Sequence, residues 1–235
     1  MTDNENTQHP TPDQLVQILS VERIEDNFFR GIETPNGEGR MFGGQVLGQA
    51  LMSAIQTVDG GKVNHSLHGY FMRPGDATKP VLYRVERDMD GKSFATRRVI
   101  AIQNGQPILN LAASFQVQEE GFSYSTEMPE GIPMPEDCMT EKEMVETYSG
   151  ELPDSFRRFM RWNRPVEMRP CQPMPPFVDT PVRGETYRWI KTKAQLPDDP
   201  NLHRGALVYA SDMGLIGAAL AVHGINFHTV GMRVL

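Results

Sequence analysis

The stretch Gly43–Val58, GGQVLGQALMSAIQTV, decides the fold. Val46, Leu47, Ala50, Leu51, Ala54, Ile55 and Val58 recur at helical spacing and form one apolar stripe, so this segment is a helix with a face to bury. Gly44 and Gly48 sit four apart on it, where missing side chains let another backbone come close. Downstream, the period changes from 3.6 to 2. In Val81–Asp88, Val81, Tyr83 and Val85 alternate with Arg84, Glu86 and Asp88. Asp90-Gly91 turns the chain into a strand over Phe94–Gln103, and Asn104-Gly105 turns it again. Leu109, Leu111, Ala113, Phe115 and Val117 then share one face of the last strand. One long helix followed by a meander of strands predicts a helix lying against an antiparallel sheet.

Upstream, Asp13–Leu19 reads as a short amphipathic helix capped by Asp13, and Glu22–Arg30 as a first strand. The loop Pro35-Asn36-Gly37 leads into the long helix, and Val63–Met72 is a further strand ending at Pro74-Gly75. Residues 1–14, polar and acidic, read as a disordered tail without a signal sequence. Residues 15–118 therefore make a first globular unit. From 119 to 184 ten of the 18 prolines fall between Pro129 and Pro181, a composition hostile to sheet interior. That segment reads as a connector holding short helices: one starts at the capping box Thr140–Glu143, another spans Asp154–Trp162. Over 185–235 the opening order returns: a strand at Glu185–Ala194, a loop at Leu196–Arg204, and a helix at Tyr209–His223. Its stretch Leu215–Val222 is apolar nearly all round and so is expected to be wrapped on most sides.

Bulk properties exclude several functions. An apolar share of 39% with 23% charged residues fits a globular chain. Met213–Val222, the longest apolar run, falls short of the roughly 20 residues a membrane span needs. A net charge of −7 argues against nucleic acid as a partner. Cys138 and Cys171 lie far apart without CxxC spacing, so neither a zinc site nor a disulfide framework is expected. His65 and His68 point to opposite faces of a strand, and His223 and His228 lack a third ligand, so no metal is expected.

Five blocks in order carry a resemblance: FGGQVLGQAL (Phe42–Leu51), HSLHGYFMRPGD (His65–Asp76), SFATRRVIAIQNGQPILNLAASFQ (Ser93–Gln116), RPVEMRP (Arg164–Pro170) and YASDM (Tyr209–Met213). Together, from about Leu15 to Arg233, they resemble the acyl-CoA thioesterase II family. The resemblance implies an α+β double hotdog, in which two antiparallel sheets each wrap a central helix. It implies hydrolysis of medium- or long-chain acyl-CoA to free fatty acid and CoA, without cofactor or metal. It places a catalytic Asp at Asp212, where a carboxylate activates the attacking water together with a Ser or Thr and a Gln from later strands. Further pairing into a homo-oligomer is also implied by the resemblance.

The first unit uses 97 residues, 22 through 118, and the second only 51, 185 through 235. The second hotdog is therefore expected to be incomplete, without its last strands and without residues matching the Ser/Thr and Gln. A second reading follows: an inactive acyl-CoA-binding or oligomerisation module, less stable than a complete relative. An enoyl-CoA hydratase is disfavoured because neither Arg40–Gly48 nor Val208–Leu215 holds a histidine. The expected location is cytoplasmic, or peroxisomal if the native C-terminus lies further on, since Met-Arg-Val-Leu is no peroxisomal address.

Each notable residue also has an ordinary explanation. Asp212 at a helix start would cap free amides. Gly44 and Gly48 lack a phosphate-loop frame and are expected to pack the helix on the sheet. Gln45 and Gln49 share a face and are expected to be solvated or capping. Arg73, Arg97 and Arg98 are expected to face water. Met144, Met160, Met168 and Met174 are expected to fill gaps.

Overall fold

The computed structural model describes residues 14–35, 37–148, 164–172, 181–182 and 184–224. Residues 1–13 of the expected tail, the Asp13 cap, the helix at Asp154–Trp162, and Met160, Met174 and His228 lie outside the described residues, while Gln14 opens a helix instead. The chain divides into two compact units that cut across its linear order. Among the described residues, one joins those within 14–123 to 196–213; the other joins those within 124–195 to 214–224.

In the first unit, α1 (Gln14–Leu19) precedes a hairpin of β1 (Val21–Glu25) and β2 (Phe28–Gly31). The single strand expected over Glu22–Arg30 is thus two, folded back at Asp26-Asn27, with Glu22 opposite Arg30. Turn-forming Asp and Asn side chains favour that reversal. Then come α2 (Gly43–Ile55), β3 (Lys62–Phe71), β4 (Val81–Asp90), β5 (Phe94–Gln103) and β6 (Gln106–Val117). The strands form one antiparallel sheet in the order β1-β2-β4-β5-β6-β3. Asn104 (φ 49°) and Gly105 (φ 73°) make the two-residue turn between β5 and β6. Both need the left-handed region, which Asn and Gly reach most readily.

One face of the sheet wraps α2, the hotdog arrangement. Val46, Leu47, Ala50, Leu51 and Ala54 meet Tyr83, Val85, Val99, Ala101, Leu109, Leu111, Ala113 and Phe115, all buried. Each large apolar side chain so buried stabilises by roughly 1.5–3 kcal/mol. The helix ends at Ile55, about a turn before the expected Val58.

Polar residues inside this core revise two expectations. Gln45 and Gln49 are buried, neither solvated nor capping. Gln45 Nε2 donates to the Ile32 carbonyl, Gln49 Nε2 to those of Ile18 and Ile32, and the Tyr83 hydroxyl donates to Gln49 Oε1. Buried amides must find such partners, and here they tie α2 to the chain leaving α1 and β2. Arg97 is also fully buried rather than facing water. Its guanidinium donates to Thr57 Oγ1, to the carbonyls of Thr57, Met89 and Thr96, and to Asp90. A guanidinium's fixed fork suits several acceptors at once. Arg98 and Arg73 do lie at the surface, on Glu86 with Asp88 and on the Pro107 carbonyl.

The helix expected at Tyr209–His223 is two helices, α4 (Pro200–Ser211) and α5 (Leu215–Ala221). The segment read as a loop holds the start of α4: Asp199 accepts from the Asn201 amide, and Pro200 occupies the first turn. Between the helices Gly214 adopts φ 80°, which ends helical progression. α4 belongs to the first unit and lies along α2. Gly44 and Gly48 pack against α4 and α1 rather than the sheet. A methyl on Gly44 would collide with the Tyr209 carbonyl, and one on Gly48 would reach 2.5 Å from Leu19 Cδ2.

In the second unit, α3 (Glu141–Tyr148) opens with the expected capping box: the Thr140 amide donates to Glu143 and the Glu143 amide to Thr140 Oγ1. A strand inside the proline-rich segment, β7 (Val166–Pro170), pairs antiparallel with β8 (Arg188–Thr192). Pro170 is tolerated because it ends the strand. α5 is not wrapped on most sides: Ala221 is buried, but Leu215 is 65% exposed and Val222, just beyond it, 47%.

Candidate active site

Asp212 follows the last residue of α4 with a backbone still near helical values (φ −81°, ψ 0°). It therefore stands at the end of a helix, not at the start expected from the sequence. Its side chain reaches back to α2, where Oδ2 accepts a hydrogen bond of 3.0 Å from the Gly44 amide. α2 needs that contact. Its own N-cap, Phe42, offers no side-chain acceptor, and the first-turn amides of a helix have no intrahelical partner. Asp212 thus supplies, from 168 positions away, the capping oxygen missing from α2. The ordinary explanation for this residue is right in kind but applies to a different helix.

The setting is close and partly dry. A methyl on Gly43 would lie 2.7 Å from both Asp212 Oδ2 and Phe71 Cζ, so ring and carboxylate flank the first residue of α2. The Tyr209 ring meets that of Phe42 edge-on, with centroids 5.0 Å apart, and Tyr209 is buried. Burial raises the Asp212 carboxyl above the ordinary carboxylate range, and the Gly44 amide partly opposes the rise. Both follow from elementary electrostatics: desolvation penalises the anion, while an amide donor at a helix N-terminus favours it. A partly desolvated carboxylate can take a proton, and helix-terminal N–H groups beside it can support a developing negative charge.

Other singled-out residues lie elsewhere. His65 Nε2 lies 3.0 Å from Ser114 Oγ, and the His68 ring stacks on Tyr70. Met144 is buried, and Met168 Sδ accepts from Arg188. Among the described residues no three His, Cys, Asp or Glu side chains gather as a metal site, and no helix is long and apolar enough to cross a membrane. Gly43 and Phe71 were not singled out from the sequence. Gly43's adjacency to Gly44 was the available signal, since paired glycines at a helix start permit close approach.

Comparison with known proteins converges. Residues 33–116 match the model described as acyl-CoA thioesterase N-terminal domain, and residues 156–234 match that described as acyl-CoA thioesterase. The chain is 37% identical over 220 residues to acyl-CoA thioesterase 2 of Haemophilus influenzae, covering 94% of this chain and 77% of that protein. The crystal structure of an acyl-CoA thioesterase II, TesB2, from Mycobacterium marinum superimposes with a TM-score of 0.65 at 38% identity, over 89% of this chain and 70% of that one. A tesB protein from Mycobacterium avium subsp. paratuberculosis gives a TM-score of 0.70 at 28% identity, over 91% and 74%.

Proposed function

This chain belongs to the acyl-CoA thioesterase II family, and from that premise we propose that it hydrolyses medium- or long-chain acyl-CoA to free fatty acid and CoA with Asp212 as the base. Water held against the carboxylate gives up a proton as its oxygen attacks the thioester carbonyl. The oxyanion that forms needs donors. The Gly44 amide is engaged by Asp212, whereas the Gly43 amide, next to it on α2, makes no hydrogen bond among the described residues and is the nearest candidate donor. Collapse of the tetrahedral adduct expels the CoA thiolate, which takes a proton, and leaves the carboxylic acid. No metal or organic cofactor enters this scheme.

One observation carries the reading: a half-buried carboxylate, made more basic by burial, fixed at the N-terminus of the hotdog's central helix. The test is thiol release from palmitoyl-CoA and a series of shorter acyl-CoAs by the purified chain and by Asp212→Asn. Asn keeps a carbonyl oxygen for the Gly44 amide but cannot accept the proton. A loss of about 100-fold or more in kcat with little change in KM is expected. Equal kcat in the two proteins overturns the role of Asp212. Tight binding of a non-hydrolysable acyl-CoA analogue, with no turnover by the unaltered chain, would replace hydrolysis with the binding-module reading.

A further inference from the structure

Cys138 and Cys171 stand 33 positions apart in the chain, and the fold brings both to one two-stranded hairpin. Trp189 Nε1 donates to the Pro133 carbonyl at 2.9 Å and Arg169 Nη1 to the Pro135 carbonyl at 2.7 Å. Trp189 and Arg169 face each other across β8 and β7, so the stretch Pro133–Cys138 lies over that hairpin. Cys138 closes the 3-10 turn Pro135–Asp137 and is buried, its sulfur 4.0 Å from the Pro133 carbonyl. Cys171 is the residue after β7. Its amide donates to the Tyr187 carbonyl and extends the two-stranded ladder by one rung. Both thiols are free, and Cys138 is among the groups that raise the Cys171 thiol, after burial. Cys171 is the more exposed of the two.

We propose that Cys138 and Cys171 are a redox-sensitive pair that closes to an intramolecular disulfide when the protein meets a hydroperoxide, tying Pro133–Cys138 to the β7–β8 hairpin. The Cys171 thiolate attacks one peroxide oxygen; the O–O bond breaks, water or an alcohol leaves, and Cys171 becomes a sulfenic acid. Cys138, after losing its proton, attacks that sulfur; the S–O bond breaks and the departing hydroxide takes up the proton as water. Two thiols and one hydroperoxide thus yield one disulfide, one water, and a second water or an alcohol, with two electrons passing from sulfur to the peroxide. Burial holds the Cys171 thiol above its ordinary range, against a smaller opposing influence of Arg188. Thiolate is therefore scarce near neutrality, and closure quickens as pH rises. The pairing was hidden in the sequence because it depends on how a proline-rich stretch folds over a hairpin, not on Cys spacing.

The experiment treats the reduced full-length chain with hydrogen peroxide, then reads free thiols, intact mass and Tm. Expected are the loss of both thiols, a monomer lighter by two hydrogens, and a Tm raised by about 5 °C, all reversed by dithiothreitol. In Cys138→Ser, Cys171 is expected to stop at a sulfenic acid that a cyclic dione traps, with no gain in Tm. Two titratable thiols after treatment, separate sulfinic acids, or cross-linked dimers in place of the internal disulfide would each overturn the proposal.

Discussion

A carboxylate that ionises less readily in the folded protein than in the unfolded chain has two measurable consequences at Asp212. In its proposed role as base it works only when ionised, so kcat is expected to fall on acidification at a higher pH than for an unburied Asp. Stability runs the other way. The folded protein holds this proton more tightly, so the contribution is complete below the unfolded-state pKa and is lost as pH rises through the folded one. Asp212→Asn should therefore match or exceed the parent in Tm at neutral pH while losing turnover, and the Tm difference should shrink towards acid. Arg97 poses the opposite case. Its ion pair with Asp90 counts for little, because Asp90 is 54% exposed and the pair is screened. Three carbonyls and a hydroxyl deprived of a donor count for more, so Arg97→Met is expected to cost about 2–4 kcal/mol in urea unfolding. The sequence alone places Arg97 on a strand, not inside the core, because alternation reports which face a residue shares and not whether a charged member of that face finds acceptors. Asp212 was legible only through the YASDM block; its partner, Gly44, was visible merely as a small residue.

Elements built by nearby residues could be read directly. β4, β5 and β6 follow from period-2 alternation and Asn-Gly or Asp-Gly turns, and α2 from its stripe. α4 is poorly marked in the sequence because Leu202, Ala206 and Tyr209 make a sparse stripe, while the apolar run after Gly214 has the stronger helical and buried character. Its start signal, Asp199 followed by Pro200, was present but outweighed. Nothing in a local pattern told that α2's glycines await a helix rather than a sheet. Two substitutions separate propensity from packing. Gly44→Ala gains about 1 kcal/mol of helix propensity but drives a methyl into the Tyr209 carbonyl, for a net loss of about 2–3 kcal/mol. Gly217→Ala, in α5, meets nothing within 4 Å and should stabilise by about 0.5–1 kcal/mol. Chemical denaturation of both variants checks the contrast.

At the scale of the molecule, the compact unit around α2 is discontinuous in sequence, so cutting the chain where its composition changes does not isolate it. A fragment ending at Ser123 lacks α4 and leaves the glycine face of α2 and Leu19 uncovered. Hydrogen exchange is expected to show α2 amides poorly protected in that fragment, and protection regained when the peptide 196–213 is added; equal protection without the peptide would refute the dependence. The same discontinuity bears on birth of the protein. At roughly 5–20 residues per second of synthesis, α2 waits on the order of ten seconds or more, while some 150 further residues are made, before its helical partner leaves the ribosome. For that interval the nascent sheet can form around a core open on one flank, an apolar surface prone to association. The contact between Gly44 and Asp212 is then among the last to close, so the capping of α2 and the completion of the first unit arrive together.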